Sequence, residues 1–81
     1  SLAEANLTDA TAVSAKLMDA TLVRADLTRT SLKRADLRNA QLTNVDLSGA
    51  NLSGANLTGA RLVNTDVSEA VTAGMIWQGR R

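Results

Sequence analysis

Asp26, Asp46 and Asp66 recur at intervals of twenty residues, with Asn6 twenty residues before the first. If that spacing becomes a column in space, three carboxylates meet. They would repel one another, which raises their apparent pKa values or draws in a hard cation such as calcium. The competing use is local, because Asp and Asn side chains bond to backbone groups at bends. Thr8, Thr28, Ser48 and Ser68 share the same interval and would form a column of hydroxyls. A third group, Arg24, Arg29, Lys33, Arg34 and Arg38, gives residues 21–40 a net charge of +3. Such a basic belt suits phosphates or an acidic protein surface. It has no aromatic residues interleaved to stack on bases, so direct nucleic-acid binding is not expected.

Other chemistry is excluded by composition. The chain has no His and no Cys, so the commonest general base and the best thiol nucleophile are missing. Its Ser and Thr residues have no partner base, and no phosphate-cradling glycine loop is present. The reading is a protein that is not an enzyme and needs no cofactor. A net charge of +1 favours neither a polyanion nor a polycation as partner. No apolar run approaches the length of a membrane span. The lack of Cys fits a reducing compartment, and a cytoplasmic location is expected.

Those columns exist only if the backbone repeats in space, and the sequence repeats every five residues. Of the fourteen positions 2, 7, 12 and so on to 67, twelve are Leu; the others are Ala12 and Val67. Of the fourteen positions 5, 10, 15 and so on to 70, eleven are Ala; the others are Thr30, Val45 and Thr65. An α-helix turns by about 140° in five residues, which scatters the leucines around every side. An extended segment puts Ala and Leu, two apart, on one face, and the polar residue between them on the other. The two remaining residues of each unit suit a tight corner. Gly49, Gly54 and Gly59 stand at the second corner position, where a positive φ is needed. The core is then one Ala and one Leu per side, too narrow for aromatic rings. It comprises Leu7, Leu17, Leu22, Leu27, Leu32, Leu37, Leu42, Leu47, Leu52, Leu57 and Leu62 with Ala25, Ala35, Ala40, Ala50, Ala55 and Ala60. A hydroxyl of Thr30 or Thr65 inside that core needs a backbone carbonyl to bond.

The unit, as in Ala25-Asp26-Leu27 and Ala55-Asn56-Leu57, resembles that of the pentapeptide-repeat family over residues 1–71. The resemblance implies an all-β fold, a right-handed quadrilateral parallel β-helix with about four coils of twenty residues. Residue n then lies over residue n+20, which sets Arg24 beside Glu4 and Arg29 beside Asp9.

Past residue 71 the frame puts Met75 in an Ala site and Trp77 in a Leu site. Both are too large for the middle of a column. Residues 1–71 are therefore read as the β-helix and 72–81 as a C-terminal cap and tail. Met75, Ile76 and Trp77 either cover the open end or form an apolar dimer patch; the resemblance supports a homodimer through this end. The small site that should precede Ser1 is missing, as is an initiator Met, which implies that the chain was cut from something longer.

Function is expected to be that of a structural or protein-interaction module, a rigid surface offered to another protein. The resemblance supplies an alternative, in which the rod mimics duplex DNA and binds DNA gyrase, protecting it from quinolones or toxins. Another alternative is cation binding by the Asp26, Asp46 and Asp66 column.

Overall fold

The computed structural model describes residues 1–77. The backbone bends at every fifth residue, and residues twenty apart pair as parallel neighbours: Asn6 with Asp26, Thr11 with Ser31, Lys16 with Asp36, Thr21 with Gln41. Four five-residue sides thus close each coil of a right-handed β-helix. Residues 1–5, 21–25, 41–45 and 61–65 form its first side. The next three groups of five form the second, third and fourth sides in order.

Three bonds per side hold successive coils together, one of them from the N–H of the corner residue, as Arg29 donates to Ser48 C=O at 2.8 Å. The N–H at each Leu site donates to the carbonyl nineteen residues ahead, as Leu27 does to Asp46 at 2.8 Å. The N–H one residue earlier donates to the carbonyl twenty-one residues behind, as Asp36 does to Ala15 at 2.9 Å. Each corner is closed by its own bond, such as Ala25 N–H to Leu22 C=O at 3.0 Å. The corner also needs a left-handed residue, and φ is +56° to +64° at Glu4, Asp9, Ser14, Asp19, Arg24, Arg29, Arg34 and Asn39. An L-residue gives up about 1–2 kcal/mol in this region. Closure of the square imposes the conformation all the same, and glycine occupies the site at Gly49, Gly54 and Gly59.

The core is a filled square column. In the second and third coils every Leu and Ala site is buried, and Leu22, Leu37, Leu42, Ala40 and Ala50 have no exposed surface. Thr30 and Val45, both in Ala sites, are buried with them. Leu7 and Leu17 in the first coil and Leu62 in the fourth are half-buried, each covered by a coil on one side only. Where Ala12 stands for Leu, an apolar hollow of about 190 Å³ opens among Leu2, Leu7, Leu17 and Leu32.

Two corners depart from the rule, at Leu42–Val45 and Leu62–Thr65, where the closing bond is absent. The cause is the stacking of two β-branched residues, Val45 over Thr65, in a column that otherwise holds Ala. The Thr65 hydroxyl takes the place of the missing bond. It accepts from Val45 N–H at 3.2 Å and donates to Leu42 C=O. Thr30, stacked between Ala10 and Ala50, donates to Leu7 C=O at 2.6 Å and leaves the Leu7–Ala10 corner intact. The opened corners let the chain extend. The two three-residue strands of the structure lie here, β1 (Gln41–Thr43) and β2 (Arg61–Val63), parallel and in the register Gln41 to Arg61. Thr65→Val keeps the shape but strands Val45 N–H and Leu42 C=O. A buried group without a partner costs about 1–3 kcal/mol, so the urea midpoint of this variant should fall, while Thr65→Ser should lie between the two.

The backbone holds the coil path five residues beyond the expected boundary at 71. Val71 N–H donates to Ala50 C=O and Ile76 N–H to Ala55 C=O, both at 2.8 Å. Continuity of the ladder does not require the Leu and Ala pattern, only extended backbone at the right height. Met75 and Trp77 turn inward and pack on the core from the end, while Ile76 points outward and is 50% exposed. The indole Nε1 of Trp77 is buried without an acceptor among the described residues. Of the cap and tail expected at 72–81, residues 78–81 lie outside the described residues.

Candidate functional site

The second side brings Asn6, Asp26 and Asp46 into one paired column. Asp9, Asp66 and Glu69 share that side, and Arg29 is its one cation. The side therefore carries a net −4, although the whole chain is +1. The third side is the opposite, with Lys33 and Arg34 and no carboxylate. Sequence order hides this separation, because charges that share a side stand twenty residues apart along the chain. The twenty-residue spacing was the signal that could have exposed it.

The basic belt is dispersed. Arg24, Arg29 and Arg38 fall on the first, second and fourth sides, and Lys33 and Arg34 on the third. Arg24 pairs with Glu4 at 2.7 Å and Arg29 with Asp9 at 2.7 Å, twenty residues apart in each case. Arg38 pairs with Asp36 at 2.7 Å. These pairs face water, which screens them, and they contribute little to stability. Belt residues that point four ways, three of them already paired with a carboxylate, do not form one basic surface.

The aspartates of the column use their oxygens locally. Asp26 Oδ1 accepts from the Thr28 hydroxyl at 2.5 Å and from Thr28 N–H at 3.0 Å. Asp46 accepts from Ser48 N–H at 3.0 Å and Asp66 from Ser68 N–H at 2.8 Å. Asn51 and Asn56 do the same on other sides, toward Ser53 and Thr58. The expected rise in carboxylate pKa is thus corrected. The Thr28 hydroxyl and then its N–H hold Asp26 below the usual carboxylate range. Ser48 and Ser68, through backbone N–H and then hydroxyl, do so for Asp46 and Asp66. Asp26 does push Asp46 upward, but less strongly than Ser48 lowers it. Donors at hydrogen-bond distance outweigh a like charge one coil away in water. Among the described residues no three acidic side chains converge as a metal site.

A pH dependence follows with a definite sign. Carboxylates lowered in the fold contribute stability above their unfolded value, about 3.9. That contribution is lost as pH falls through the lower folded values. Urea midpoints should hold level from pH 7 to about 5 and decline below about 4. A decline between pH 7 and 5 would contradict the assignment.

The ladder of this side is interrupted between the third and fourth coils. Leu47 N–H does not reach Asp66 C=O, and Asp66 N–H does not reach Val45 C=O. The next bond is displaced by one residue: Gly49 N–H donates to Glu69 C=O, whereas Arg29 N–H at the equivalent corner donates to Ser48 C=O. Glu69 also lacks the left-handed φ found at the other fifth-residue corners. An open cleft of about 470 Å³ results, lined by residues 44–48 with Asn64, Asp66 and Glu69.

Comparison with known proteins agrees with this architecture. The family model described as Pentapeptide repeats matches residues 1–39 and 35–71, in eight copies. Among solved structures, a pentapeptide-repeat protein from the Arabidopsis thaliana thylakoid lumen is 27% identical, with a TM-score of 0.59 over 86% of this chain and 56% of its own. The pentapeptide-repeat protein Rfr23 of the cyanobacterium Cyanothece 51142 is 36% identical, with a TM-score of 0.54 over 90% and 53%. QnrB1, a plasmid-mediated fluoroquinolone resistance protein, shares the fold at 19% identity, with a TM-score of 0.68 over 90% and 38%. The chain thus spans about half the length of the first and second of these proteins. No curated protein matches it.

Proposed function

The chain belongs to the pentapeptide-repeat family, and from that membership we propose that it is a non-enzymatic interaction module whose acidic second side docks a basic protein surface. One observation carries this reading, the net −4 gathered on a single side of a near-neutral chain. The local bonds that lower Asp26, Asp46 and Asp66 extend their ionised range further into acid and fix where the carboxylates stand. The rigid ladder holds it in one geometry, so little side-chain order is lost on binding. Calorimetry against poly-lysine at low salt should give binding that weakens at least tenfold in Asp26→Asn/Asp46→Asn/Asp66→Asn. An Arg34→Gln control on the third side should bind as the wild type does. Equal binding by the triple variant would defeat the reading.

Gyrase binding by DNA mimicry is the second reading, favoured by the same acidic side. Charge density ranks it second. Duplex DNA carries one negative charge per about 1.7 Å. Four net charges over four coils, at about 4.8 Å each, give roughly a third of that density. Failure to inhibit supercoiling at high molar excess over gyrase would exclude it.

A further inference from the structure

We infer that the break in the second side's ladder is a docking cleft for an extended peptide segment carrying an arginine. This inference rests on the acidic-side reading and narrows it to one place and one partner chemistry. The edge of the cleft offers unpaired backbone groups of both kinds. Leu47 N–H and Asp66 N–H are free donors, and Val45 C=O and Asp66 C=O are free acceptors, among the described residues. Leu47 and Val45 are 1% and 4% exposed, so the Leu47 N–H and the Val45 C=O belong to buried residues, while Asp66 is exposed. Buried backbone groups without partners are rare in folded proteins. Their presence beside a cleft marks a place where something else supplies the bonds.

The size and chemistry of the cleft select the occupant. A single water fills about 30 Å³, a small part of about 470 Å³. A metal ion would satisfy oxygens alone and face the Leu47 and Asp66 N–H groups with like charge. A peptide unit supplies a C=O for one edge group and an N–H for another, as in strand addition to a sheet edge. The remaining lining is acidic: Asp46, Asp66 and Glu69 carry no ion pair among the described residues. A guanidinium has five donors in a fixed fork and no acceptor, which suits a cleft whose lining carries carboxylates.

The test is an NMR titration of the chain with acetyl-Ala-Arg-Ala-amide, beside acetyl-Ala-Gln-Ala-amide. The arginine peptide should shift the Leu47, Ser48, Asp66 and Glu69 amides with a saturating curve, and the glutamine peptide should bind at least tenfold more weakly. Asp66→Asn should weaken the arginine peptide similarly. Val45→Ala/Thr65→Ala restores the small sites and should close the ladder; its Leu47 amide should become protected from exchange and stop responding to peptide. Shifts spread evenly over Asp9, Asp26 and Asp46, with Leu47 unmoved, would overturn the cleft and leave the acidic-side reading standing. Failure of both this peptide and poly-lysine would overturn both.

Discussion

Leu37→Asp should leave the chain without a cooperative unfolding transition. Leu37 has no exposed surface and lies between Leu17 and Leu57 in its column. The substitution removes about 1.5–3 kcal/mol of apolar burial. It also places a carboxylate in a column with no cation or donor to receive it, a penalty of several kcal/mol. The whole fold is stable by about 0.05–0.15 kcal/mol per residue, so roughly 4–12 kcal/mol for a chain of this size. The loss is of the same order as the total. Circular dichroism with a urea titration should show a non-cooperative baseline. Gln41→Asp is the control; its side chain faces water one residue before a buried Leu, where Asp is a common residue of the repeat. It should fall within about 0.5 kcal/mol of the wild type. A sharp wild-type-like transition for Leu37→Asp would mean that the column is not dry.

Ala40→Phe should be the second most damaging change, by overpacking. Ala40 is fully buried, and its own N–H closes a corner on Leu37 C=O at 3.1 Å. The coils above and below stand about 4.8 Å away, tied by backbone bonds that cannot lengthen to admit a ring. Overpacking costs about 1–3 kcal/mol in cores that can adjust. A square column has no slack, so the upper end applies, with a loss of roughly 10–25 °C in Tm. Met75 shows where bulk is tolerated: it occupies the Ala site of the last described coil and packs on the core from the end. A Phe at position 75 should accordingly be mild, and one at 40 severe.

The corner geometry reached further than the sequence suggested. Glycines at 49, 54 and 59 pointed to positive φ at one position of the unit. The structure puts Glu4, Arg24 and Asn39 there as well, at φ of 63°, 60° and 61°. Composition alone gives no reason to place Arg in that region. The closure of four sides does.

The repeat of Leu and Ala at fixed spacing determined the column and its width, because side-chain direction alternates along extended backbone whatever the surroundings. The twenty-residue coil, and with it the Arg24–Glu4 and Arg29–Asp9 pairs, came from the resemblance to the pentapeptide-repeat family, and the structure shows both pairs. Three things waited for the tertiary structure. The acidic side emerged only when residues twenty apart were stacked, since electrostatics depends on distance in space. The low carboxylate pKa values came from donors two residues ahead, whose orientation the corner sets. The break at Asp66 came from Val45 meeting Thr65, two β-branched residues that are unremarkable alone and incompatible with a closed corner when one lies on the other.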